Sequence, residues 1–290
     1  YGPTQFVEVR QAIAMLLDRN EFARTFTGGY GTVVHGPYGV AMAEYKKAKD
    51  ILQEKLNTYP FSVENAIKTL EEGGWTLDAN GNAYTSGVRY KEVTEEQAGD
   101  FPGVVKLADG RLLMPLDIYW LSSEGNTVSE LLKVHLVEGT AVKDAGMNIM
   151  QTVVAWNELL NYLYRDSSVD PKYANPSYNM YNLATGFTSP AYDYSYEWTS
   201  DPALLEQGYN RPHLFDEELD RLSMEMVYGV ESGDTETFLQ KWIDYIVRWN
   251  ELLPNIPIQM LLRGRNTVGY TPYPLAVTDA FVAEAARSGV

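Results

Sequence analysis

Between Leu116 and Thr185 the chain alternates strand, helix, strand, helix, strand, and this order constrains the fold more than any other feature. LDIYWL reads as a strand, residues 126–145 as a helix ending at Gly146, and MNIMQTVV as a second strand. WNELLNYLYR reads as a second helix and MYNLATG as a third strand. Short apolar runs separated by helical segments of this length imply parallel strands joined by crossovers. Open sheets of that kind hold their ligands in a crevice outside the C-terminal ends of the strands.

The stretch YNLATGFTSPAYDYSYEWTSDP begins in the third strand and runs past its C-terminal end. Tyr192, Tyr194, Tyr196 and Trp198 alternate there with Asp193, Ser195 and Glu197. An extended chain would put the rings on one face and the polar groups on the other. A helix would instead pair Tyr192 with Tyr196 and Tyr194 with Trp198. In either case rings with hydroxyl or indole handles, beside polar neighbours, suit an amphipathic groove wall, and core burial is the competing reading.

Around this unit the pattern is mainly helical. Val9, Ile13, Leu16 and Leu17 recur at helical spacing, and EFARTF forms a second helix that ends in Gly28-Gly29. Ser62 is a good N-cap for VENAIKTLEE, which Gly73-Gly74 closes before Trp75. From Trp75 to Pro115 short extended runs surround two tight-turn pairs, Asn80-Gly81 and Asp109-Gly110. Residues 216–230 and 235–253 are periodic helices, the second with Phe238, Trp242, Ile246 and Trp249 on one stripe. NIPIQMLL then reads as a short strand.

Several function classes drop out. With 39 acidic and 23 basic residues the net charge is -16, which repels a phosphate backbone and argues against a nucleic-acid partner. Cysteine is absent, so there is no thiolate metal site or cysteine nucleophile. His35, His135 and His213 stand apart, with no ligand spacing, and read as loop or surface histidines, so no metal is expected. GGYGTVVHG lacks the Lys-Ser/Thr of a P-loop, and no G-x-S-x-G elbow is present. The enzyme reading that survives is a glycosidase using two of Asp193, Glu197 and Asp201 among rings that stack on sugars.

Three segments together carry a family resemblance. VRQAIAMLLDRNEFARTFTGGYGT, from Val9 to Thr32, resembles the "VRQA…DR…GGYG" segment of the family 5 extracellular solute-binding proteins, the oligopeptide, dipeptide and nickel receptors of ABC transporters. AIKTLEEGGW, from Ala66 to Trp75, is similar to their "A..LL.EAGW" element. FDEELDRLSMEM, with the helix through Trp249 and LLPNIPIQ, is similar to their "D.L…LP.IPL" ending.

The resemblance implies an α/β fold, a lobe of the type II periplasmic-binding-protein kind, with a mixed sheet, βαβ crossovers and flanking helices. Residues 1–270 would form the C-terminal substrate-binding lobe, 76–113 a β-rich insertion and 271–290 a tail. It implies a two-lobed, non-enzymatic receptor without cofactor, closing on a small ligand and delivering it to ABC permease subunits. The chain would then start in mid-protein, its signal and N-terminal lipid anchor removed, and the whole would be extracellular or periplasmic. In peptide-binding relatives a "GW..DY.DP" segment lines the cleft, and its first acid pairs with the α-amino group of the peptide. Gly186-Phe187 matches Gly-Trp and Asp193 falls at the second acid, but Pro190 stands where the first belongs. The expected ligand-binding residues are Phe187, Tyr192, Asp193, Tyr194 and Trp198, with Trp120 from the end of the first strand. Oligopeptide is the first expected ligand and oligosaccharide the second, because the amine anchor is missing and rings are plentiful.

Overall fold

The structure is a computed structural model that describes residues 2–184, 187, 193–258 and 260–261. It has the expected mixed α/β character. Two compact units divide the chain: the first takes residues up to Asp18 together with Tyr59–Leu183, the second Arg19–Thr58 and the residues from Ala184 on. The chain therefore passes from one to the other within the stretch that the sequence presents as one lobe. The tail 271–290 lies outside the described residues.

In the first unit the central strand Asp117–Ser123 pairs in parallel with Asn148–Val154 on one side and Met180–Tyr181 on the other. Ile118, Trp120, Leu121 and Ser122 are wholly enclosed, as expected for a parallel strand covered on both faces. Asn126 follows this strand and caps Thr127–Lys133, its side chain accepting from the Ser129 N–H at 3.2 Å. The single helix expected over residues 126–145 is interrupted. It passes into a wider turn over Val134–Glu138 and resumes only at Ala141–Asp144. Gly139 marks the break: a Cβ there would lie 2.6 Å from the His135 carbonyl oxygen, so the chain leaves the helix at a residue without one.

Helices Val7–Leu16 and Val63–Glu72 pack together and each also meets Ala141–Asp144, and Ser62 caps the second as expected. The β-rich segment is an antiparallel sheet with Leu112–Pro115 between Tyr90–Val93 and Val105–Lys106. Arg89 ties it to its surroundings. The guanidinium donates to the Ala145 and Trp75 carbonyls at 2.9 and 3.0 Å, pairs with Glu71 at 3.0 Å and lies 4.0 Å from the Tyr84 ring centre. A buried arginine is tolerated because its donors are used this fully.

The second unit is built from helices Arg19–Thr27, Ala43–Lys55, Glu217–Tyr228 and Thr235–Leu252. A two-residue antiparallel pairing joins Gly31–Thr32 to Met260–Leu261, all that forms of the strand expected in NIPIQMLL among the described residues. Trp242, Ile243, Tyr245, Ile246 and Trp249 form one buried stripe. Asp216 and Asp234 cap the last two helices. Asn250, also buried, accepts from the Asn57 N–H at 2.8 Å and donates to the His35 and Asn57 carbonyls at 2.8 and 3.0 Å.

Candidate functional site

In the first unit the C-terminal strand ends carry a polar network. The indole N–H of Trp120 donates to Asn182 Oδ1 at 3.1 Å, and Ser129 Oγ donates to the same atom at 3.1 Å. Gln151 Nε2 donates to Ser122 Oγ at 2.9 Å. Trp120 is 0% exposed, which corrects the expectation that its ring faces the crevice. The central strand is sandwiched, and the indole has an internal acceptor, so the side chain belongs to the interior.

What lies open at this end is different. Val153, in register with Ser122, Trp156, which begins the helix after the second strand, and Leu183, just beyond the third, are all exposed, Trp156 by 49%. For Trp156 and Leu183 the sequence signal was an apolar residue just after a strand, where the crevice of an open sheet is expected.

The second unit holds the aromatic segment. Tyr194 and Trp198 are buried, again contrary to a groove-wall reading. The Tyr194 ring stacks on Tyr245 with centres 4.8 Å apart, and its hydroxyl donates to the Pro37 carbonyl at 2.8 Å. Trp198 Nε1 donates to the Tyr245 hydroxyl at 2.9 Å. Their polar handles are satisfied by the helix Thr235–Leu252 and by the loop before Ala43–Lys55, which lets the core accept both rings. Phe187 is half-buried; Tyr192 and Pro190 lie outside the described residues.

The acids divide by environment. Asp193 is exposed, and its Oδ1 accepts from the Ser195 N–H and hydroxyl at 2.9 and 2.6 Å, a local turn closure. Asp201 caps Pro202–Glu206 by accepting from the Ala203 N–H at 2.9 Å. Two of the three acids in the glycosidase reading are thus engaged in backbone turns. Glu197 is the exception. Its Oε2 is buried with no hydrogen-bond partner among the described residues, and burial pushes the carboxyl up to about 7 against a smaller opposing pull from Arg211. The nearby carboxylate adds to burial in raising the Tyr245 hydroxyl well above its ordinary value.

Two more buried atoms of this unit lack partners among the described residues, His35 Nδ1 and Trp242 Nε1. Burial, with Arg19 adding to it, lowers His35 to about 4, so the imidazole is neutral at pH 7. No group of three His, Asp or Glu side chains among the described residues could hold a metal ion. No helix among them is long and apolar enough to cross a membrane.

The fold recurs in solved structures. The oligopeptide-binding protein AppA of Bacillus subtilis, in complex with a nonapeptide, superimposes with a TM-score of 0.60 at 19% identity, covering 88% of this chain and 41% of its own. An oligopeptide-binding protein of Thermus thermophilus, complexed with a pentapeptide, gives 0.62 at 19% identity, covering 88% and 38%. NikZ of Campylobacter jejuni, in complex with Ni(L-His), gives 0.57 at 15% identity, covering 88% and 42%. The fold is thus one used by oligopeptide- and nickel-complex-binding proteins, and the chain spans about two fifths of the length of these neighbours. Residues 1–203 match the bacterial extracellular solute-binding proteins, family 5 Middle, and the chain belongs to that family. A 40-residue stretch is also 58% identical to human mitochondrial pyruvate carboxylase, over 14% of this chain and 3% of that one, too little to bear on the fold or the family.

Proposed function

We propose that this chain serves in solute capture for an ABC importer, as the C-terminal part of a two-lobed receptor that works outside the cytoplasmic membrane. The observation that carries the reading is the family match over residues 1–203, and two of the neighbours with this fold hold peptides. Oligopeptide is therefore the ligand class proposed, with permease subunits as the partner and an N-terminal lipid anchor as the membrane attachment. Binding is completed by closure of a second lobe.

Within the proposed site Phe187, Tyr192 and Asp193 touch the ligand, while Tyr194 and Trp198 support the segment from the core of the same unit. Glu197 supplies the carboxyl with unused hydrogen-bonding capacity, and a cationic or hydroxyl group of the ligand would meet it.

A thermal-shift screen of the protein as encoded, against peptide pools and oligosaccharide pools, tests the reading. Ligand at about 100 times its dissociation constant stabilises the folded state by roughly 2.7 kcal/mol. A larger shift from peptides than from oligosaccharides is the expected result; the reverse order transfers the site to sugars, and silence from both removes the proposal. Turnover of a labelled oligosaccharide would replace capture by catalysis.

A further inference from the structure

Tyr196 has a φ of 65°, in the left-handed region that a bulky side chain seldom occupies unless its surroundings fix it there. The turn around it is closed by the Glu197 N–H donating to the Tyr194 carbonyl at 3.1 Å and the Thr199 N–H donating to the Tyr196 carbonyl at 3.2 Å. This backbone turns the ring out of the buried row formed by Tyr194 and Trp198. It meets Tyr209 edge-on, with centres 5.9 Å apart, and Tyr228 at a tilt, with centres 6.3 Å apart and the two hydroxyls 3.4 Å apart. Tyr209 is 41% and Tyr228 64% exposed, so this corner of three rings faces solvent.

Next to it lies an open depression of about 420 Å³ lined by Tyr196, Met224, Glu225, Tyr228 and Gly229. It is a shallow, open surface whose lining joins ring faces and phenol hydroxyls to one carboxylate. The charge balance selects the ligand class. Glu225 is paired with Arg221 and, at 2.7 Å, with Lys241, so its negative charge is already matched and nothing in the lining calls for a cation. Exposed ring faces, phenol hydroxyls and a fixed carboxylate are the groups that stack on the C–H face of a sugar and bond its hydroxyls.

We propose that the Tyr196–Tyr228 corner is a second, shallow binding site for a neutral sugar ring, separate from the solute site. Tyr228 stacks on the ring, Tyr196 sets the angle of the corner and Glu225 accepts from a sugar hydroxyl. The site lies wholly within the second unit.

The test is a titration of the protein as encoded with maltohexaose and with cellohexaose, followed by tyrosine fluorescence and by calorimetry. Saturable binding of at least one sugar is expected, weakened about 10-fold or more by Tyr228→Ala, equivalent to about 1.4 kcal/mol. Tyr228→Phe, which keeps the ring face, should retain most of it. Because Tyr228 stands on the surface, the melting temperature of both variants should match the parent, and their response to peptide should persist. Absence of saturable binding by both sugars overturns the proposal. So does a sugar response that survives Tyr228→Ala, which would place the sugar elsewhere, or saturation by tetramethylammonium and by neither sugar, which would make the corner a cation site.

Discussion

Trp120 in the first unit and Trp242 in the second are equally enclosed, each 0% exposed, yet their indole N–H groups meet different surroundings. Trp120 donates to Asn182, whose oxygen also accepts from Ser129. Trp242 has no acceptor among the described residues, and the other two unpartnered buried atoms, on His35 and Glu197, belong to the same unit. An unpaired buried polar group costs about 1–3 kcal/mol. Among the described residues the unpartnered buried side-chain atoms thus all fall in the second unit, beside its aromatic core, and none in the first. Bound water or a ligand group gains most where hydrogen-bonding capacity is unspent.

The contrast can be broken most decisively by removing its best-satisfied parts. Trp120→Ala and Trp198→Ala should each cost about 3–5 kcal/mol in denaturant unfolding, since each empties a packed site and strands a hydrogen-bond partner. A loss below about 1 kcal/mol for Trp198→Ala would return that ring to the ligand surface.

The second test is the pH dependence of Glu197 and His35, which act in opposite directions. Glu197, raised from 4.5 to about 7, holds a proton in the folded state that the unfolded chain has released, so its contribution is present below about 4.5 and falls as pH rises to 7. His35, lowered from 6.5 to about 4, stays neutral where the unfolded chain is protonated, so its contribution is present above 6.5 and falls as pH drops to 4. Each amounts to at most about 3 kcal/mol, and in the parent protein they largely cancel. Glu197→Gln should then lose stability as pH falls from 6.5 to 4, and His35→Gln should lose it as pH rises from 4.5 to 7, both measured relative to the parent by urea unfolding. Parallel pH curves for all three proteins would dismiss the opposition.

Asn182→Leu should cost about 1–3 kcal/mol at any pH between 5 and 8, because it strands the Trp120 indole and the Ser129 hydroxyl while adding no charge. The smallest effect is expected outside both cores, where Tyr228→Ala should change unfolding free energy by no more than about 0.5 kcal/mol.

Much of the scaffold could be read from residue order. The three parallel strands, the cap at Ser62, the helix starts at Asn126 and Asp216 and the turns at Asn80-Gly81 and Asp109-Gly110 all rest on local chemistry, which survives in the folded chain. Ala43–Lys55 escaped because it buries little, Ala48 and Leu52 among its thirteen residues, so its periodicity is faint. The site was harder to see. Alternation places rings on a face but does not say whether Tyr245 or solvent waits opposite, and the hydroxyl that receives Trp198 lies 47 residues further on. Nor could spacing reveal that Asp193 closes its own turn while Glu197 Oε2 is buried with no partner among the described residues, since both are acids in the same aromatic run.

The hydrogen bond from the Asn57 N–H to Asn250 has a consequence for how the chain comes into being. Its partners are separated by 193 residues, so the early segment of the second unit lacks this partner when it is made. At about 5–20 residues per second a ribosome needs roughly 10–40 s to supply the missing half. Throughout that interval the segment forming most of the first unit is emerging and free to fold, so the second unit is begun early and finished last.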